Sequence, residues 1–234
     1  NSKTVDRGAN SNTLTENGGV TEVVASTSTE LKGYTFGTNN YLSRAYDADF
    51  EFGTGDFYMS IWFKTAGTSA TETMFMKGTS GDVYGYRLRI IADGTVDSYI
   101  TDGSSTSIAG AGVYDDGLWH KAELIRRSNV GYLYVDTVLE ASAATTKNTD
   151  NGSTFLRIGA RTGATSLGVT TCTLALAHLG ATAPTETQQR QAYIAERGMF
   201  VASAKCLLQS GSTDAVLDVS VDPITSKVAV TQTD

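Results

Sequence analysis

The chain has 234 residues, of which 40% are hydrophobic and 18% charged, enough to bury one substantial core. Its formal net charge of −7 argues against sequence-independent nucleic-acid binding and against docking on anionic lipid, both of which require an excess of Lys and Arg. No apolar run approaches the ~18 residues of a membrane-spanning helix, so no membrane insertion is expected.

Gly is frequent and Pro rare, at 24 against 2, and Ser and Thr are abundant, a composition that fits many short strands joined by tight turns. Cys172 and Cys206 are the only cysteines. Two do not make a disulfide scaffold; they read as buried free thiols, with a single bridge left open. The sequence starts at Asn1 without Met or a signal peptide and stops just after a strand-like run. It is therefore expected to be a piece of a longer product.

Residues 1–32 are polar, with Leu14, Val20, Val23, Val24 and Leu31 as apolar anchors. They read as one or two edge strands about Gly18-Gly19, or else as a disordered arm. From Gly33 onward the strand signals strengthen through Tyr34-Thr35-Phe36, Tyr41-Leu42 and Phe50-Glu51-Phe52. Phe57 to Lys64 alternates: Phe57, Met59, Ile61 and Phe63 share one face, and Tyr58, Ser60, Trp62 and Lys64 the other. The first face is core; the face carrying Trp62 has room to be covered as well. Met74 to Gly78 is another short strand, and residues 86–91 and 96–100 flank Asp93-Gly94, the strongest hairpin signal in the chain.

Thr101-Asp102-Gly103 reads as a turn into a Ser-rich loop reaching Gly112. Asp115-Asp116-Gly117 is a turn signal ahead of a strand from Leu118 to Leu124; a break at Ser128-Asn129 and a strand from Gly131 to Asp136 follow. Residues 142–153 read as a Ser, Thr and Asn loop, and 155–159 and 173–179 as strands. Thr185-Glu186-Thr187-Gln188 has the form of a capping box, directly after Pro184, and opens a helix that ends at Gly198. Beyond it, 204–208, 215–221 and 227–230 read as strands with a turn at 222–226.

Two motifs carry a resemblance: Gly55-Asp56-Phe57 leading into a strand with a central Trp62, and Asp116-Gly117-Leu118-Trp119-His120 followed by a strand ending in Val135-Asp136. Together they are similar to the laminin-G-like, or concanavalin-A-like, family. The resemblance implies an all-β fold, an antiparallel two-sheet jelly-roll sandwich with one short C-terminal helix and a β-hairpin annex. The sandwich would span residues 1–198, including a closing helix at 185–197, and the annex or the start of a further module 199–234. Ala195-Glu196-Arg197 with Phe200, and Ser212-Thr213-Asp214-Ala215-Val216, resemble tail-fibre or other virion structural proteins of marine bacteriophages.

Candidate chemistry is sparse. Asp47, Asp49 and Glu51 would share one face of a strand. Jelly-roll glucanases place nucleophile and general acid on one strand in this way, but the flanking pattern of those enzymes is missing, and a solvated strand face is the competing reading. In the family a Ca²⁺ ion can sit at the loop rim on hard oxygen ligands; Asp102, Asn148 and Asp150 are the residues here that would hold it, with Asn151 beside them. His120 and His178 are too few for a zinc site and read as satisfied structural histidines. Tyr84, Tyr86, Tyr99 and Tyr114 lie near loops and are the candidate glycan-binding residues, since sugar sites combine aromatic faces with polar groups.

The resemblance thus implies a non-enzymatic, fibre-like virion appendage protein. Its partners would be a host cell-surface glycan, other virion proteins and further copies of itself as a homo-oligomer. It would be assembled in the host cytoplasm and carried on the extracellular particle. The alternatives are a purely structural or capsid-decorating role, and a polysaccharide hydrolase of the jelly-roll glucanase type.

Overall fold

Alternation of side chains along one long strand sets the interior. In the computed structural model the strand Phe57–Ala66 turns Phe57, Met59, Ile61 and Phe63 into the main core and Trp62 to the opposite face, and all five are at most 1% exposed. Both faces of this strand are therefore covered. The structure describes residues 3–8, 10–26, 31–78, 84–161 and 169–200, and the backbone of 216–221 and 228–232. Cys206, the strand expected at 204–208 and the turn at 222–226 lie outside the described residues.

Two antiparallel seven-stranded sheets face each other. In chain order the strands are β1 (Thr15–Asn17), β2 (Thr21–Val24), β3 (Lys32–Thr35), β4 (Tyr41–Arg44), β5 (Phe57–Ala66), β6 (Glu72–Gly78), β7 (Tyr84–Ile90), β8 (Thr95–Asp102), β9 (Ser105–Val113), β10 (Asp116–Arg127), β11 (Val130–Val135), β12 (Val138–Ala144), β13 (Phe155–Ile158) and β14 (Thr173–Gly180). The first sheet runs β1-β4-β13-β6-β7-β8-β9 and the second β12-β11-β10-β5-β14-β3-β2. Their inner faces meet in one apolar cluster from Phe36 and Leu42 through Met74, Leu88, Ile100 and Leu124 to Leu174. This is the expected two-sheet sandwich. Strands β15 (Val216–Val221) and β16 (Val228–Gln232) pair with each other as a separate hairpin.

Several local expectations need correction. β1 and β2 flank Gly18 but join different sheets, β1 to β4 and β2 to β3, so Gly18-Gly19 crosses the sandwich instead of closing a hairpin. The supposed loops at 103–112 and 142–153 contain most of β9 and the last three residues of β12. Asp116-Gly117 is not a turn but an irregularity inside β10, where the register to β5 shifts between Asp116 and Trp119 and Gly117 has φ of 82°. The break at Ser128-Asn129 is a tight hairpin turn with both residues at positive φ, 50° and 63°.

The helix α1 (Glu186–Arg197) begins as the sequence predicts. Thr185 accepts from the Gln188 backbone, and the Gln188 side chain accepts from the Thr185 backbone N–H, a reciprocal cap that contributes about 1 kcal/mol. α1 packs over the outer face of the second sheet. Its Tyr193 stacks on Trp62 at 5.4 Å between ring centroids, and Phe200, just past its end, stacks on the same indole at 4.2 Å. Trp119 donates its indole N–H to the Ala25 carbonyl at 2.9 Å and packs against Phe200. Met199 and Phe200 pack in the same cluster as Trp62 and Trp119. No helix among the described residues is long and apolar enough to cross a membrane.

Candidate functional site

The alternation of β7 and β8 separates the candidate tyrosines. Tyr86 points inward with Leu88 and Ile90; it is 1% exposed, and its hydroxyl donates to the Phe50 carbonyl at 3.1 Å. Burial pushes its pKa well up. Tyr86 is therefore a core residue and turns no face toward a ligand, because its place in the β7 alternation is an inward one. Tyr99 lies on the other face, half-buried, with the guanidinium groups of Arg87 and Arg89 over its ring at 4.3 and 4.6 Å. Arg89 is held in turn by Asp97, its Nε donating at 2.8 Å. Tyr84, Tyr99, Arg87 and Thr101 line one shallow depression of about 10 Å³, room for about one water. Tyr114 sits at the other end of the molecule. Its hydroxyl donates to Glu140, whose carboxylate also accepts from the amides of Ala111 and Gly112 at 3.0 and 2.8 Å. By the same alternation Tyr84 shares the face of Tyr86, opposite that of Tyr99, so the four tyrosines present no common surface.

The three candidate calcium ligands stand among cations. Asp102 meets the Lys147 ammonium at 3.0 Å; some burial opposes its ionisation, but Lys147 and the Ser104 backbone hold its carboxyl below the usual value. Asn148 accepts from the Asp150 backbone at 3.0 Å, and Asp150 accepts from the Gly53 backbone at 2.6 Å. The loop carrying them is built on two buried cations. Lys77 donates to the Thr149 carbonyl at 2.5 Å and to Glu51 at 2.6 Å, and Arg126 donates to the carbonyls of Lys147, Gly53 and Gly55 at 2.6, 2.8 and 2.5 Å. Among the described residues no three His, Cys, Asp or Glu side chains are grouped to hold a metal ion.

Asp47, Asp49 and Glu51 do not alternate along a strand. Residues Ala48–Phe50 form a 3-10 turn capped by the Asp47 side chain, which accepts from the Asp49 backbone. Each carboxylate then has its own partner: Asp47 has Arg44 at 2.9 Å, Asp49 has the Asn12 amide at 2.9 Å, and Glu51 has Lys77. A short capped turn won over the strand pattern because Asp competes for nearby backbone N–H groups. Burial opposes ionisation of Glu51, yet Lys77 and the amides of Gly152 and Asn151 keep its carboxyl below the ordinary value.

His120 is the satisfied structural histidine the sequence predicts. Its Nδ1 lies 2.6 Å from Asp136 and its Nε2 3.0 Å from Asp116, which leaves neither nitrogen for proton transfer to a ligand. His178 differs from expectation: it is exposed, and its nearest carboxylate is Glu196 at 3.8 Å. Glu196 belongs to a polar cluster that α1 presses onto the sheet. Lys121, fully buried, lies 3.0 Å from Glu196 and 3.3 Å from Glu123; Glu123, also fully buried, accepts from Gln189 at 2.6 Å and from Tyr58 at 3.1 Å. Burial opposes the Lys121 ammonium, but the surrounding carboxylates hold its pKa up, while burial raises that of Glu123 and pushes Tyr58 up to about 12.

One cavity is not legible in the sequence. A cleft of about 780 Å³ opens between the sheets beside β4, β13, β3 and β14. Its floor is Phe36, Leu42, Phe50, Ile61, Phe75 and Leu174, and its rim is formed by residues 3, 5–8, 10 and 12, the 3-10 turn, Lys32 and Tyr34. On one wall β14 carries an irregularity in its pairing with β5 between Ala175 and His178, where Leu176 has φ of 43°. A Leu in this region is strained. The lining residues come from six strands, the 3-10 turn and the N-terminal segment, spread over more than 170 positions, so no local signal announces them.

Comparison with known proteins agrees with this architecture. Among solved structures, the binding domain of Paraclostridial Mosquitocidal Protein 1 superposes with a TM-score of 0.67 at 15% identity, covering 82% of this chain and 49% of that one. The binding domain of botulinum neurotoxin serotype G gives 0.64 at 11% identity, with 82% and 48% covered. A botulinum neurotoxin type C structure, described as interacting with two ganglioside molecules, gives 0.61 at 11% identity, with 82% and 48% covered. At these identities the likeness is one of fold, and the chain spans about half the length of each. No curated protein sequence matches the chain. Residues 36–170, more than half of the chain, match the concanavalin A-like lectin/glucanases superfamily. With two facing seven-stranded sheets and the Trp62 and Trp119 strands adjacent in the second, the chain belongs to that superfamily.

Proposed function

We propose that the chain is a non-enzymatic, glycan-binding module of a virion appendage. The observation that carries this reading is the half-buried Tyr99 ring, over which the Arg87 and Arg89 guanidiniums lie at 4.3 and 4.6 Å. A ring with polar donors around it suits a sugar, and guanidiniums suit an acidic one. Asp97 is the carboxylate there, and it is tied to Arg89. The non-catalytic half is supported by Asp47, Asp49 and Glu51, each engaged by a different partner. A gangliosides-related neurotoxin with the same fold makes sialylated host glycans the first class to test. The virion setting rests on the resemblance of residues 195–200 and 212–216 to tail-fibre proteins, and other virion proteins and further copies of the chain are its expected partners.

The test is a glycan array probed with the chain and with Tyr99→Ala. Binding to a defined set of host glycans that Tyr99→Ala loses is the expected result. No binding by the folded chain, or equal binding by both proteins, overturns the assignment. Co-purification of the chain with virions of a producing host checks the setting.

A further inference from the structure

The geometry points to a second ligand site, independent of the glycan reading: the cleft between the sheets takes a long-chain alkyl carboxylate, its tail on the apolar floor and its head at Arg7 and Lys32. The volume of about 780 Å³ falls within the ~300–1,000 Å³ of small-molecule sites. The floor of Phe36, Leu42, Phe50, Ile61, Phe75 and Leu174 is uniformly apolar and at most 5% exposed, which suits a hydrocarbon and offers a buried polar ligand nothing to bond.

Charge at the mouth fixes the head group. Six ionised groups stand on the rim beside Tyr34 and His178: Lys3, Arg7 and Lys32, and Asp6, Asp49 and Glu51. The three carboxylates are occupied. Asp6 accepts from the backbones of Gly8 and Asn12, both at 2.7 Å; Asp49 accepts from the Asn12 side chain; Glu51 is paired with Lys77. Lys3 is occupied too, by Glu16 at 2.7 Å. The side chains of Arg7 and Lys32 have no hydrogen bond or ion pair among the described residues, which leaves two unmatched cations at the entrance to an apolar cavity. The strained Leu176 and the irregular pairing of β14 lie on the same wall, a kind of backbone distortion that concentrates at ligand sites.

Titration of the full chain with decanoate, dodecanoate and tetradecanoate below their micellar concentrations tests the inference. Each pair of added methylenes should tighten Kd by about 15-fold. The double charge reversal Arg7→Glu/Lys32→Glu should weaken dodecanoate by about tenfold or more while leaving dodecanol unchanged. Gly180→Leu should abolish binding without unfolding the chain, since Gly180 lines the cleft and an added Cβ there meets no atom within 4 Å. Absence of tetradecanoate binding to the folded chain, a Kd independent of chain length, a charge-reversed protein that still prefers the carboxylate, or full binding by Gly180→Leu each overturns it.

Discussion

The indole N–H of Trp62 donates to the Glu196 carboxylate at 2.6 Å, and the same oxygen lies 3.0 Å from the buried Lys121 ammonium. One helix carboxylate thus satisfies both the central Trp of β5 and a charge on β10. Glu196→Ala strands both donors beneath α1 and is expected to cost about 2–4 kcal/mol. Glu196→Gln keeps an acceptor for the indole and should cost roughly half as much. Urea midpoints at unchanged m measure the difference.

His120 links stability to pH. Burial disfavours its charged form, but the hydrogen bonds and charges of Asp136 and Asp116 outweigh this and raise its pKa above the ordinary 6.5. A raised folded-state pKa means that the protonated ring stabilises the fold fully below pH 6.5, and that this contribution fades as pH rises through the folded value. The stability gap between the wild type and His120→Gln should therefore be widest just below pH 6.5 and narrow above it. Denaturation at a series of pH values reads this directly. Asp116, whose pKa is lowered, adds the opposite limb: its contribution is lost in acid, as pH falls below 3.8.

Glu72 closes the entrance to β14. Its two oxygens accept from the backbones and hydroxyls of Thr170 and Thr171 at 2.9–3.1 Å and contact the Cys172 thiol at 3.3 Å, and it is 2% exposed. Glu72→Ala leaves those donors buried without an acceptor, an expected loss of about 2–5 kcal/mol. Burial also pushes the Cys172 thiol up, so it should resist alkylation in the native protein. Faster labelling of the Cys172 peptide in Glu72→Ala, followed by mass spectrometry, is the predicted companion effect.

Arg126 is buried among backbone carbonyls from two segments, Gly53–Gly55 and Lys147. A Lys has no planar fork and cannot reach both at once. Arg126→Lys is expected to cost about 2–4 kcal/mol. The neighbouring loop supplies Asn148 and Asp150, and with Lys147 paired to Asp102 and Lys77 and Arg126 donating to the carbonyls of Thr149 and Lys147, calcium in excess over chelator should leave the Tm of the wild type unchanged. A calcium-dependent rise in Tm would assign an ion to this rim.

What the sequence made legible followed from side-chain alternation and turn chemistry. The alternation of Phe57 to Lys64, the Thr185 cap and the paired histidine all appear where the residues imply. β9 and β12 escaped because their inward positions are small or polar: Ile108 is the only buried apolar residue of β9, and β12 offers Ala141 and Ala143 to the core. Trp119, Lys121 and Glu123 alternate as a solvated strand face would, yet the sheet's outer face is covered by α1, which lies more than 60 positions further along. Tertiary cover of that kind leaves no trace in local pattern, and neither does the inter-sheet cleft.

Capture of a glycan that is left whole is the function proposed for this superfamily member. Native mass spectrometry of the chain incubated at length with its array-selected glycan tests this most directly. A complex containing glycan of undiminished mass, lost in Tyr99→Ala, is the predicted result. Shortened glycan that accumulates with time, and ceases to do so in Glu51→Gln, would contradict it.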